Sequence, residues 1–257
     1  MMNLLRSDLY RIGKSKLMYI IMAITGIIAV LLSVMLHRDM RVGISVFGSL
    51  TAFKGIDDII RIGITYQKGL GILTAFLVSI LIGQEYLWKT WQHKWIIGKT
   101  RIGIYLSKSI FSSAISAAVF FVFELTVLLG SGQFSNILTR KYTAMILCGF
   151  AIYSALGAVV CLFSMLIKSN TTAIIICLCY ILFSETVWSV VTKLSNVSSI
   201  AAGIVEFALR HSIYGMSMVV SLTALSADMT ISVVMNSAVI ILIASAVGVC
   251  VFQKYEL

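Results

Sequence analysis

The chain has 257 residues, of which 60% are hydrophobic and only 12% charged, with a net charge of +10. With a mean hydropathy of +1.02, that composition excludes a soluble globular domain and places the chain among all-α, polytopic membrane proteins. The excess of Lys and Arg lies between apolar runs, so it reads as topology and headgroup signals rather than as a nucleic-acid footprint.

Residues 3 to 16 set Leu5, Leu9 and Ile12 at helical spacing with Arg6 and Arg11 off that stripe. This is the pattern of an amphipathic helix lying in the membrane interface. The first apolar run that follows is long enough to span and lacks a small-residue cleavage site, so it reads as a retained span, not a removed signal. A spanning helix needs about 20 apolar residues. Six segments of one transmembrane domain, 1–257, meet or approach this: 17–36, 64–83, 109–129, 143–167, 171–191 and 231–252. The second carries Gln67 and Lys68, and Lys68 would have to snorkel to the nearer surface.

Residues 1 to 16 carry Arg6, Arg11, Lys14 and Lys16 against Asp8, and the segment after the second span carries Lys89, Lys94, Lys99, Arg101 and Lys108 against Glu85. Both basic flanks belong on the cytoplasmic side, and an even span count puts both termini there. Between spans two and three, "QEYLWKTWQHKWIIGKTR" gathers Trp88, Trp91 and Trp95, three of the four tryptophans. As a helix, residues 85–97 place these rings on one side, as an interfacial anchor, with Glu85, Lys89, Gln92 and His93 on another. Residues 192–230 are too apolar for a solvated loop and carry "SIAAGIVEFALRHSIYGMSMVVSL" with Glu206, Arg210 and His211. They are expected to form one or two short outer helices, re-entrant or capping, in preference to a seventh span.

The chain has no proline, so helix breaks must come from Gly or from polar residues. There is no G-x-x-x-x-G-K-[ST] loop and no H-E-x-x-H; "GISVFG" from Gly43 is followed by Ser49 and Leu50. His37, His93 and His211 stand far apart in sequence, and Cys148, Cys161, Cys177, Cys179 and Cys250 lie within apolar runs as packing residues. Neither a catalytic site nor a metal site is expected, and no cofactor is expected to bind this chain. Two acids fall inside spans, Glu124 in "FVFELTV" and Glu185 in "LFSETVW". Intramembrane acids are costly and mark transport paths by default, so both are candidates to line a substrate path; a structural role for each is the bland alternative.

The run "EYLWKTWQHKWIIGKTRIGIYLSK", Glu85 to Lys108, resembles the segment between the second and third spans of ABC-2 type transporter permeases. Glu85, Thr90, Arg101, Tyr105 and Lys108 occupy the family's motif positions, although Lys89 stands where a glycine is common. The resemblance implies a bacterial plasma-membrane permease subunit that pairs with an identical or sister chain and docks two separate ATPase subunits, which would hold the ATP and Mg. Residues Glu85, Lys89, Thr90, His93, Lys94 and Arg101 would then belong to a cytoplasmic coupling helix seated on the ATPase. Small six-span members without a large outer domain are most similar to exporters of, or immunity proteins against, antimicrobial peptides such as lantibiotics and bacitracin, so a hydrophobic or amphipathic peptide is the expected substrate. Two other classes compete: an ion-coupled secondary carrier using Glu124 and Glu185, which would more typically show an internal repeat, and a non-transporting membrane scaffold.

Overall fold

A computed structural model describes residues 2–37, 56–88, 90, 94, 96, 98, 100–132, 140–167, 169–195, 199–222 and 225–254. Among these the chain is helical and contains no strand. In order the elements are α1 (Met2–Gly13), α2 (Lys16–His37), α3 (Ile56–Ile64), a 3-10 turn (Tyr66–Lys68), α4 (Leu70–Leu87), α5 (Arg101–Ser131), α6 (Arg140–Leu166), α7 (Asn170–Ser195), α8 (Ser199–His211), α9 (Ile213–Leu222) and α10 (Ala227–Lys254). Six of them, α2, α4, α5, α6, α7 and α10, are long and apolar enough to cross a membrane. Loops cannot face lipid without stranding backbone polar groups, which is why so apolar a chain resolves into long helices.

Helix α6 sits at the centre, flanked by α5 and α10, and α4 is held between α6 and α7. Its Ile152, Tyr153, Ala155, Leu156 and Ala158 are fully buried. By contrast, α7 and α10 bury little of their length and present Ile175, Phe183, Val187, Leu242 and Ile243 outward. Apolar side chains on such faces are at home in hydrocarbon and need no protein cover.

The second span departs from the sequence expectation of 64–83. The chain breaks at residues 65–69, where Gly69 adopts φ 131°, and α4 then runs from Leu70 to Leu87. Only glycine takes that backbone conformation without a Cβ clash. Lys68 therefore stands in the turn ahead of the span and does not have to snorkel from within it. The residues before the break form α3, a helix additional to the six predicted spans. Ile56, Ile59, Ile60 and Ile64 make one buried stripe, with Asp57 and Asp58 in the first turn and Arg61 in the last, complementing the helix dipole. Arg61 Nη1 donates to the Ser221 carbonyl of α9 at 2.6 Å, tying α3 to α9.

Residues 192–230 contain two short helices, α8 and α9, meeting at Ser212, as expected. At 13 and 10 residues, neither reaches the length of about 20 that a span requires.

Candidate functional site

At one end of the bundle the amphipathic helix α1 is fastened by a buried ionic cluster. Leu4, Asp8 and Ile12, four residues apart, form the buried face of α1, while Leu9 and Tyr10 are exposed. That spacing puts all three on one side of a helix. Asp8 accepts from Lys94 Nζ at 2.9 Å and from Ser107 Oγ at 2.9 Å, and its other ion pair is with Lys108 at 2.7 Å. Glu85, in the last turn of α4, pairs closely with both Lys108 and Arg11, and lies 3.7 Å from Lys94. Asp8, Glu85 and Lys108 are each less than 5% exposed.

Two carboxylates and three cations thus join α1, α4, α5 and the segment between the last two. Burial alone would raise the Asp8 pKa, but the ammonium groups of Lys108 and Lys94 outweigh it and hold the carboxyl below its ordinary value. Ion pairs in such a place are retained only when both partners are present, because one left alone is an uncompensated buried charge.

The start of α5 is pinned to the end of α10 by the residues next in line. Thr100 caps α5, its hydroxyl accepting from the Gly103 amide at 3.2 Å. Arg101 Nη1 donates to the Gln253 carbonyl at 2.9 Å, Tyr105 Oη to the Ala244 carbonyl at 3.3 Å, and Ser109 shares a 2.9 Å hydrogen bond with Ser245. Gly248 makes room for this crossing: a Cβ there would lie 1.9 Å from Tyr105 Oη.

These placements correct part of the coupling-helix expectation. Glu85 does not present an outward polar face; it ends α4 and is enclosed by cations from α1 and α5. Lys94 likewise turns inward to Asp8, with 17% of its side chain exposed. The reason is electrostatic: at the end of an apolar span Asp8 and Glu85 need partners, and Lys94 and Lys108 supply them. Thr90 is helical, with a buried hydroxyl that has no hydrogen-bond partner among the described residues. Trp88 is 62% exposed, as suits an interfacial ring. Lys89, Trp91, His93 and Trp95 lie outside the described residues. Asp8 was read in the sequence only as a charge to be counted. Its position four residues from Leu4 and from Ile12 was the available signal that it faces inward.

The two intramembrane acids are not brought together. Glu124 of α5 is 1% exposed, and neither carboxyl oxygen has a hydrogen-bond partner among the described residues. It lies against Gly63 of α3, where an added Cβ would come within 2.7 Å of Glu124 Oε1 and 2.6 Å of the Phe123 ring. Tyr153 Oη donates to the Gly63 carbonyl at 2.7 Å, and its ring stacks on Phe120 at 4.9 Å. The α3 helix is therefore pressed onto α5 through a glycine, with the buried Glu124 carboxyl at the contact. Glu185 instead faces outward from α7, on the side of Tyr214, whose pKa is raised by burial and by this carboxylate.

Cys148, Cys161 and Cys177 are buried in the bundle, consistent with packing, while Cys179 and Cys250 are exposed. Among the described residues no group of three potential metal ligands converges. No protein-family model matches the chain, and no curated protein matches it either.

Proposed function

We propose that the chain is the membrane-spanning subunit of an ATP-binding-cassette exporter of the ABC-2 permease type. In this reading it lies in the bacterial plasma membrane with both termini cytoplasmic, pairs with a second permease chain, and is driven by two ATPase subunits that carry the ATP and Mg. The chain itself is not an enzyme, and its cargo is a hydrophobic or amphipathic molecule, foremost an antimicrobial peptide that is exported or cleared. One observation carries the reading. Four of the five motif residues, Glu85, Arg101, Tyr105 and Lys108, make structural bonds at one end of the bundle, to α1, α4 and α10. A segment held this firmly at both of its ends is a lever: force applied to residues 89–99 would reach four helices at once. Allosteric transmission needs such a contiguous, packed route.

The test is to find an ATPase with a phosphate loop in the neighbouring reading frame and co-express it with this chain. Lys89→Glu and His93→Glu should abolish co-purification of the ATPase while leaving the permease folded. Retention of full ATPase binding and full transport in both variants would sink the assignment. A second reading is favoured by the Glu124 carboxyl, which has no hydrogen-bond partner among the described residues and in an ion-coupled carrier would take up and release the driving ion. Transport that collapses on adding a protonophore, yet proceeds with an ATPase mutated in its phosphate loop, would select that reading.

A further inference from the structure

Where α1 turns into α2, a half-open pocket of about 640 Å³ lies between this elbow and the end of α4. Pockets of 300–1,000 Å³ are the usual size for small-molecule ligands. Its lining includes Arg11, Lys14 and Lys16 but, among the described residues, no acid. The nearest acids of these elements, Asp8 and Glu85, are buried in the ionic cluster, where Glu85 pairs with Arg11. Tyr10 and Trp88 supply aromatic walls, and Leu81 an apolar one. Lys14 Nζ is 4.7 Å from the Tyr10 ring centroid, and Tyr19 Oη donates to the Gly13 carbonyl at 2.7 Å, which holds the elbow in shape.

The pocket lies where polar chain gives way to apolar chain, at the start of one candidate span and the end of another. Below it, the outer face of α2 presents Tyr19, Ile20, Ile24 and Ile27. A ligand suited to this place has an anionic head for three cations and long apolar tails for the α2 surface. We propose that the pocket binds the phosphate-bearing headgroup of an anionic phospholipid. A free phosphate ion offers the same charge but leaves the apolar wall and Trp88 without a role. Arg11 couples the ligand to the ionic cluster: its guanidinium has five N–H donors, enough to keep Glu85 and still serve a phosphate oxygen. Lipid binding would thus favour docked α1 by mass action.

The experiment is a lipid titration of the full chain in neutral detergent, where no bilayer surface potential operates, read by native mass spectrometry. Phosphatidylglycerol should bind at least roughly ten-fold better than phosphatidylcholine, whose choline masks the phosphate charge. The pair Lys14→Gln with Lys16→Gln should weaken phosphatidylglycerol about thirty-fold, the equivalent of about 1 kcal/mol per cation. Arg6→Gln removes one charge from the exposed side of α1 outside the pocket, and should change affinity by less than roughly two-fold. Ser7→Trp fills the pocket from α1 without changing charge, and should also block binding. The proposal is overturned if Arg6→Gln weakens binding as much as the lysine pair, which would mean general surface attraction. It is equally overturned if Ser7→Trp has no effect, or if millimolar inorganic phosphate displaces the lipid completely, which would mark a small-anion site. The lysines are exposed, so loss of fold is not expected; should the pair nonetheless unfold, Ser7→Trp and the phosphate competition still decide.

Discussion

Asp8 of α1 and Lys108 of α5 form an ion pair at 2.7 Å, both buried, although one lies near the start of the chain and the other beyond its second span. Ser107 donates to the same carboxylate, so α5 grips α1 through two successive residues. What this arrangement demands is that every member of the cluster be present.

Asp8→Asn should cost about 3–5 kcal/mol, the usual result of removing one partner from a buried pair. Lys108→Gln should cost as much, and the double variant less than the sum of the two. A coupling of about 0.5–3 kcal/mol from denaturant titrations of the four proteins would establish the pair. Strict additivity would show that the two residues act separately.

The pH dependence follows from the lowered Asp8 pKa. A carboxyl whose folded value is below its unfolded one, about 3.9, contributes stability that is complete above the unfolded value. That contribution is lost only as the pH falls through the lower, folded value. A spin label at Arg6→Cys in a background free of native cysteines should therefore stay immobile from pH 8 to 5, with α1 released only below about pH 4. Release between pH 5 and 7 would contradict the assigned electrostatics.

Glu124 separates stability from activity. A buried polar group without a hydrogen bond costs about 1–3 kcal/mol, so Glu124→Leu should raise the resistance of the protein to denaturant by that order. The same variant, and Glu124→Gln, should depress transport if the carboxyl lines the path. A more stable protein with unimpaired transport would make the acid dispensable; a less stable one would show that it is held by bonds not evident in the fold.

At Gly63 a methyl group would collide with the Phe123 ring and the Glu124 carboxyl. Gly63→Ala should cost about 1–3 kcal/mol by overpacking and push α3 away from α5. A cross-link between cysteines placed at Ile56 and on α5 would report this as slower closure. Unchanged stability and cross-linking would show that α3 is free to shift.

Lys94→Glu should behave differently from Lys89→Glu. Lys94 pairs with Asp8, so reversing its charge places three carboxylates together and should undock α1 whether or not an ATPase is present. Limited proteolysis within α1 reads this directly. Protection equal to that of the unaltered protein would mean the Lys94 contact adds nothing.

The six long helices were legible because apolar runs of spanning length have few other outcomes. The short helices of 192–230 were legible because the segment is too apolar for a solvated loop yet carries Glu206, Arg210 and His211. The start of the second span was not, since a break at Gly69 depends on a backbone angle that residue type permits but does not dictate. The α3 helix carries its signal in plain view, Ile56, Ile59, Ile60 and Ile64 at helical spacing, but at nine residues it is too short to register among apolar runs of spanning length. For the ionic cluster, the residues were visible and their partners were not. Glu85 and Lys94 looked like surface charge because sequence shows local spacing, and Asp8 meets them only through tertiary packing. The separation of Glu124 from Glu185 has the same origin: a place within a span says nothing of which way each side chain turns.

The ionic cluster also sets an order of events during synthesis. Chains emerge N-terminus first, so α1 leaves the ribosome with an acid whose two cationic partners, Lys94 and Lys108, have not yet been made. Until α5 begins to insert, α1 has no reason to leave the membrane surface and Asp8 no reason to leave water. Closure of the cluster therefore waits until Lys108 is made, after the residues of the first two long helices.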